Sequence, residues 1–233
     1  KVNLEAGTPQ GSPLSPIIYI IYVNDYPESV KKECSLSQFA DDTALWTSAY
    51  TRAFAMRKLQ KALNELESWC RKWRVKLNGE KSSLVFISRN YNDDKESHAL
   101  HLFNDIIRPV NSAKFLGIEI DSRLSFSKHI DSISNRATKR INLLKMLARH
   151  GVNPTTLMRL YKIYIRPLSE YGSASFITTP SSQFDRLKRI ENESIRASLQ
   201  LPKYIRTTLL HEYASLEPIK DRLLKLNVSL LSR

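Results

Sequence analysis

The order of apolar and polar positions changes character about halfway along the chain. Residues 14–26 are apolar almost all round (Leu14, Ile17, Ile18, Ile20, Ile21, Val23) and follow Ser and Pro, which predicts a buried helix ending before Pro27. Two β-prone runs, 35–40 and 43–48, flank Asp41-Asp42 and predict a hairpin with those aspartates at its turn. Across 51–73, Leu59, Ala62, Leu63, Leu66, Trp69, Cys70 and Trp73 recur at helical spacing, with Lys58, Lys61, Glu65 and Lys72 turned away. Short strands are expected at 84–88, 99–103, 106–110 and 114–120, with Asn104-Asp105 as a turn.

After Asp121 the period becomes helical. Phe126, Ile130, Ile133, Ala137, Ile141, Leu144 and Ala148 step by three or four, and helical segments continue to the end, interrupted near 151–154 and at Pro167, Pro180, Pro202 and Pro218. The fold class is therefore α+β, with a mixed region at 1–121 followed by an all-α region at 122–233. The first residue is Lys1, the earliest methionine is Met56, and the last segment lacks a helix stop signal, so the chain is expected to be a fragment.

Composition narrows the chemistry. The 233 residues carry 36 Lys+Arg against 23 Asp+Glu, a formal net charge of +13. Residues 1–50 hold three basic and six acidic groups, a net of −3, which leaves +16 for the remainder. That asymmetry suggests a front that handles a cation and a back that handles a polyanion, with nucleic acid the natural partner. Between Phe126 and His150 six basic residues face a single acid, Asp131, although a solvated helix face would look the same. The longest apolar run, 17–23, is too short for a membrane span. Two cysteines and no leader-like start give an intracellular, reducing compartment as the expectation.

Two segments carry candidate chemistry. Residues 7–16 concentrate two glycines and three prolines at the doorstep of the predicted helix, where bare backbone and free N–H groups suit a phosphate, or an ordinary loop and cap. Asp41-Asp42 places two like charges side by side, an arrangement a divalent cation makes favourable, although Asp-Asp is also a common turn dipeptide.

Residues 7–16 followed by Phe39-Ala40-Asp41-Asp42 resemble the palm of a reverse transcriptase of the non-LTR, LINE-type retrotransposon kind. Leu77-Asn78 with Lys81-Ser82, then Phe115-Leu116-Gly117, then Ile165-Arg166-Pro167 and Glu170-Tyr171-Gly172 follow in that family's order. The resemblance implies part of a polymerase palm at 1–121 and a thumb-like region at 122–233. It makes Asp41 a ligand of a catalytic Mg²⁺ pair, with Asp42 supporting it and Mn²⁺ as an alternative ion. Lys81 would lie near the triphosphate, Gln10 and Gly11 would border the incoming nucleotide, and Leu116 and Gly117 would press on the primer. Lys128, Arg136, Lys139, Arg140 and Lys145 would clamp the template-primer duplex through phosphates. The implied partners are an RNA template, a DNA primer and deoxynucleoside triphosphates, with nucleus and cytoplasm as locations. Tyr161, Tyr164 and Tyr171 are expected in helix packing.

The family pattern is incomplete. A third palm aspartate and the fingers, both expected upstream, are missing, so the chain alone is expected not to polymerise. A non-catalytic nucleic-acid-binding relic and a group II intron maturase-like protein are the alternatives.

Overall fold

A computed structural model describes residues 11–88 and 98–232. The chain forms two compact units, Lys1–Gly117 and Ile118–Arg233. The first contains α1 (Ser15–Val23), α2 (Glu28–Glu33), β1 (Ser35–Phe39), β2 (Asp42–Trp46), α3 (Arg52–Trp73), β3 (Leu100–Leu102), β4 (Asp105–Ile107) and β5 (Ser112–Phe115).

The predicted long helix is α3. Its start is fixed by Thr51, whose hydroxyl accepts from Phe54 N–H at 3.2 Å, and its end by Arg74 in the left-handed region. One stripe of α3 (Met56, Ala62, Leu63, Leu66, Trp69, Cys70) forms a buried cluster with Val30, Cys34, Leu100, Leu102 and Ile107. Each fully buried large apolar side chain contributes about 1.5–3 kcal/mol, so this stripe is the main source of the unit's stability. The helix α2, absent from the sequence-based expectation, packs on α3 and is tied to it by Lys61–Glu33 at 2.5 Å. Its signals were Pro27 before the first turn, Glu28 within it, and Lys31 and Lys32 in the last turn, which complement the helix dipole.

The helix expected at 14–26 is present but shorter, and it is not buried: no residue of α1 is inaccessible, and Ile20 and Ile21 are 64% and 70% exposed. An all-round apolar surface needs cover on every side, whereas the buried residues of the unit's core come from α2, α3, β3, β4 and the segments beside them, and none from α1. Contact is made through Tyr22, whose ring packs edge-on against Trp73 at 5.6 Å and whose hydroxyl donates to the Trp73 carbonyl.

The strand expectations shift in detail. Only Leu84 of 84–88 pairs, in a single parallel bridge to Pro109. β3 and β4 pair antiparallel with Leu102 opposite Asp105, so the turn is Phe103-Asn104, with Phe103 at φ 52°. Asp105 is thereby a strand residue, and its side chain packs against the buried Gly79 so closely that a Cβ on Gly79 would lie 2.4 Å from the Asp105 Cβ. The strand expected at 114–120 is broken by Leu116 and Gly117, both at positive φ (45° and 81°).

The second unit contains β6 (Ile118–Asp121) and α4 (Ser127–Arg149), then α5 (Pro154–Leu160), a π-helical turn (Tyr161–Ile165) and α6 (Arg166–Glu170). It continues through α7 (Ser173–Phe176), α8 (Ser181–Leu199), α9 (Thr207–Ala214) and α10 (Ile219–Leu231). The expected stripe of α4 is buried at Ile130, Ile133, Ala137, Ile141 and Leu144, with Phe126 just before the helix, and packs against α8. Asp121 fixes the approach to α4: its carboxylate accepts from Arg123 N–H, Ser125 N–H, the Ser125 hydroxyl and Phe126 N–H at 2.6–3.1 Å. Burial opposes its ionisation, but these donors outweigh burial and hold the carboxyl below its ordinary value.

The all-α core also encloses an acid. Glu191, 2% exposed, accepts from Ile219 N–H at 2.8 Å and from the Tyr161 hydroxyl at 3.4 Å. Burial pushes its carboxyl from 4.5 up to about 7, against the pull of the Ile219 N–H and the Arg166 charge.

Candidate functional site

The acidic hairpin forms, with a register one residue away from the expected one. Phe39 pairs with Asp42, so the two-residue turn is Ala40-Asp41 and Asp42 is the first residue of β2. A two-residue connection demands positive φ, and Ala40 supplies it at 50°. The consequence is chemical. Side chains alternate across a strand, and Thr43 and Leu45, cross-strand partners of Gln38 and Leu36, occupy the half-buried face of the ribbon. Asp42 therefore falls on the outer face with Phe39 and Trp46, which are 65% and 52% exposed. Asp41 stands at the tip itself.

The helix opened by the Gly-Pro segment brings one side chain, Tyr19, towards this ribbon. The Tyr19 hydroxyl is within reach of the Gln38 side chain and feels the charge of Asp41. Its pKa is raised by burial first, then by Tyr26 and Asp41, while Gln38 acts in the opposite sense. At the other end of α1, Asp25 accepts from the Trp69 indole N–H at 3.1 Å, so that carboxylate is already engaged.

Gly11 is exposed with φ 88°, and among the described residues no atom beyond its chain neighbours lies within 4 Å of where its Cβ would stand. Its identity is set by backbone conformation, not by crowding. Ser12 shapes the lead into α1: its carbonyl accepts from Ser15 N–H at 3.2 Å and its hydroxyl from Leu14 N–H at 3.3 Å. Gln10 lies outside the described residues.

Lys81 sits in a side-chain-stabilised turn. Its N–H donates to Asn78 Oδ1 at 3.1 Å, and the Ser82 hydroxyl donates to the Asn78 carbonyl at 2.8 Å, leaving the Lys81 side chain exposed. Leu116 is half-buried and Gly117 exposed, in a turn whose two positive φ values match the glycine-favouring hairpin class.

The basic residues of α4 separate into two groups. Lys128, Arg136 and Lys139 lie on the exposed side. Lys145 instead pairs with Glu193 at 2.6 Å, and Arg140 lies over the Tyr164 ring at 4.0 Å while donating to the Tyr164 carbonyl. Those two cations do structural work that the charge count could not reveal. Of the three tyrosines expected in packing, Tyr161 is buried, but Tyr164 and Tyr171 are 45% and 59% exposed. The π-helical turn accounts for Tyr164, because a wider turn rotates the following side chains off the buried stripe.

A divalent ion fits the donors at the hairpin as far as they go. They are hard carboxylate oxygens, exposed and adjacent, as Mg²⁺ or Mn²⁺ prefers. Among the described residues no group of three His, Cys, Asp or Glu could enclose a metal, so the hairpin offers part of a coordination shell. No helix among the described residues is long and apolar enough to cross a membrane.

Comparison with known proteins gives the family. Residues 1–120 match the family described as reverse transcriptase (RNA-dependent DNA polymerase). A Drosophila melanogaster protein named "Probable RNA-directed DNA polymerase from transposon BS" is 28% identical over 229 residues, covering 94% of this chain. The "RNA-directed DNA polymerase from mobile element jockey" of the same species is 26% identical over 228 residues, again covering 94% of this chain. The chain spans 25% of the length of each of these relatives. No solved structure matches it. With the family match extending over more than half of the chain, and with the motif order that resembles non-LTR retrotransposon enzymes, the chain belongs to the reverse transcriptase (RNA-dependent DNA polymerase) family.

Proposed function

We propose that this chain supplies the acidic part of the palm and the thumb of an RNA-directed DNA polymerase that extends a DNA primer on an RNA template. The observation that carries the reading is a hairpin register that leaves Asp41 at the tip and Asp42 on the outer face, within the stretch that matches the family. In the proposed site Asp41 holds Mg²⁺ (or Mn²⁺), and Asp42 contributes from the outer face of the same ribbon. When bound, the ions supply activation of the primer 3′-hydroxyl and neutralisation of the triphosphate.

The chain's own groups have distinct tasks. The hairpin fixes Asp41, because both strands are anchored by five register pairs. Gln10 and the bare backbone of Gly11 border the nucleotide, and Lys81 offers its ammonium to the triphosphate. Leu116 and Gly117 allow close approach of the primer backbone. Lys128, Arg136 and Lys139 hold duplex phosphates without reading sequence. Lys145 and Arg140 are placed second, since their charge is already committed to Glu193 and Tyr164.

Two adjacent carboxylates, with no third acidic ligand beside them among the described residues, complete too little of a two-ion site for catalysis. The 233-residue chain is accordingly proposed to bind an RNA–DNA hybrid without extending it. The test is primer extension with Mg²⁺ and four nucleotides, on this chain and on a version lengthened to its relatives' extent. Extension by the long protein that is lost in Asp41→Asn supports the reading. Robust synthesis by the short chain, or full synthesis by the Asp41→Asn long protein, overturns it.

A further inference from the structure

The second unit contains a cleft of about 280 Å³ whose lining includes Thr155, Met158, Arg159, Lys162, Leu199 and Tyr213. It lies where α5 and the π-helical turn meet the end of α8 and the last turn of α9. No acid lines it.

Some cations of the second unit are paired and others, Arg136 and Lys139 among them, have no ion pair among the described residues. Lys145, Arg166, Arg186, Arg222 and Lys225 each have a carboxylate partner. Arg159 and Lys162 are exposed and form no ion pair among the described residues. They are three residues apart on a continuous helical stretch, which places both on one side of the cleft. The same lining includes Tyr213 on α9, 66% exposed, an aromatic side chain held on a helix but left in water.

We propose that this cleft binds one nucleotide of a single-stranded nucleic acid, with the base against Tyr213 and the flanking phosphates on Arg159 and Lys162. Base–aromatic stacking beside unpaired cations is the chemistry by which single strands are held without sequence preference. A cleft of this size accepts one unstacked base, whereas a base within a duplex is not free to enter. The site shares no residue with the hairpin or with the exposed cations of α4, so it adds a third element to the nucleic-acid contacts of the proposed function.

The test uses the intact chain, in EDTA so that no hairpin-bound metal contributes, with fluorescein-labelled oligo(U), oligo(dT) and a duplex of equal length, followed by anisotropy across a salt series. Tyr213→Ala is expected to weaken single-strand binding roughly 5- to 100-fold and to leave duplex binding unchanged, while Tyr213→Phe retains affinity. The double variant R159Q/K162Q is expected to flatten the log–log salt dependence for single strands by about 1.4. A preference for oligo(U) or for oligo(dT), which differ in the sugar and in the C5-methyl group of the base, supports the site either way. Unchanged single-strand affinity and salt slope in both variants would overturn the proposal, as would equal losses in Tyr213→Ala and Tyr213→Phe or equal losses for single strand and duplex. Tyr213 is outside the core, and far-UV circular dichroism confirms that each variant is folded.

Discussion

Glu191→Gln is expected to make the protein more stable at alkaline pH, although it removes a buried group that accepts two hydrogen bonds. Burial holds the Glu191 carboxyl at about 7, against 4.5 in its ordinary state, and that difference corresponds to about 3 kcal/mol. Because the folded-state pKa lies above the unfolded one, the associated stability is fully present below pH 4.5 and is lost as pH rises towards about 7. Glutamine keeps an oxygen for Ile219 N–H and can donate its amide to the Tyr161 oxygen, so the shape and most of the bonding survive without the buried charge. Allowing for the stronger bonds a carboxylate makes, the net gain above neutrality should be about 1–3 kcal/mol.

The assay is urea unfolding of wild type and Glu191→Gln, followed by far-UV circular dichroism, from about pH 4.5 to about pH 8.5. His211, whose Nε2 is 3.8 Å from Glu191, works in the opposite direction. Burial lowers its pKa, so its share of stability is intact above 6.5 and is lost as pH falls below that value. Both proteins contain His211, so the part of its contribution that comes from burial is common to the pair. A stability difference that grows in favour of the variant from pH 4.5 to about 7 and then levels is the expected outcome. A variant that is less stable at all pH values, with no change in slope, would show that ionised Glu191 is held by Arg166 and would refute the reasoning.

Two further perturbations test local geometry. Gly79→Ala drives a Cβ to 2.4 Å from the Asp105 Cβ, so urea unfolding should show a loss of roughly 1–3 kcal/mol, partly recovered by adding Asp105→Gly. Asp121→Asn turns one oxygen of a fully used carboxylate into an amide facing donors, and should cost about 1–2 kcal/mol at neutral pH. The folded-state pKa of Asp121 is depressed, so this cost should shrink as pH falls through it, measured as converging acid melts of variant and wild type.

How much of this was legible in the sequence depended on whether a feature is local. The helices α3 and α4 declared themselves, because each buries one stripe and presents charge elsewhere, and the same residues that set the period fill the two cores. The hairpin was readable too, but its register was not: shifting the turn from Asp41-Asp42 to Ala40-Asp41 requires positive φ at an alanine, a residue that does not advertise it as glycine would. That single step moves Asp42 to the outer face and leaves Asp41 at the tip. The apolar run of α1 predicted burial, yet burial depends on what else packs nearby, which the run itself does not encode. The count of cations on α4 could not reveal that Lys145 is neutralised by Glu193, nor could the spacing of Arg159 and Lys162 reveal Tyr213 in the same cleft lining. The π-helical turn, which exposes Tyr164, has no signature in a pattern read at 3.6 residues per turn.

The central claim is that the hairpin tip is a divalent-metal site organised by Asp41. Its most direct test is Mn²⁺ titration of the chain followed by amide NMR, since the paramagnetic ion broadens resonances near where it binds. Selective broadening at Phe39, Ala40, Asp41 and Asp42 and at Tyr19, abolished in Asp41→Asn, is the result expected. Broadening that spares these residues, or that persists unchanged in Asp41→Asn, would contradict it.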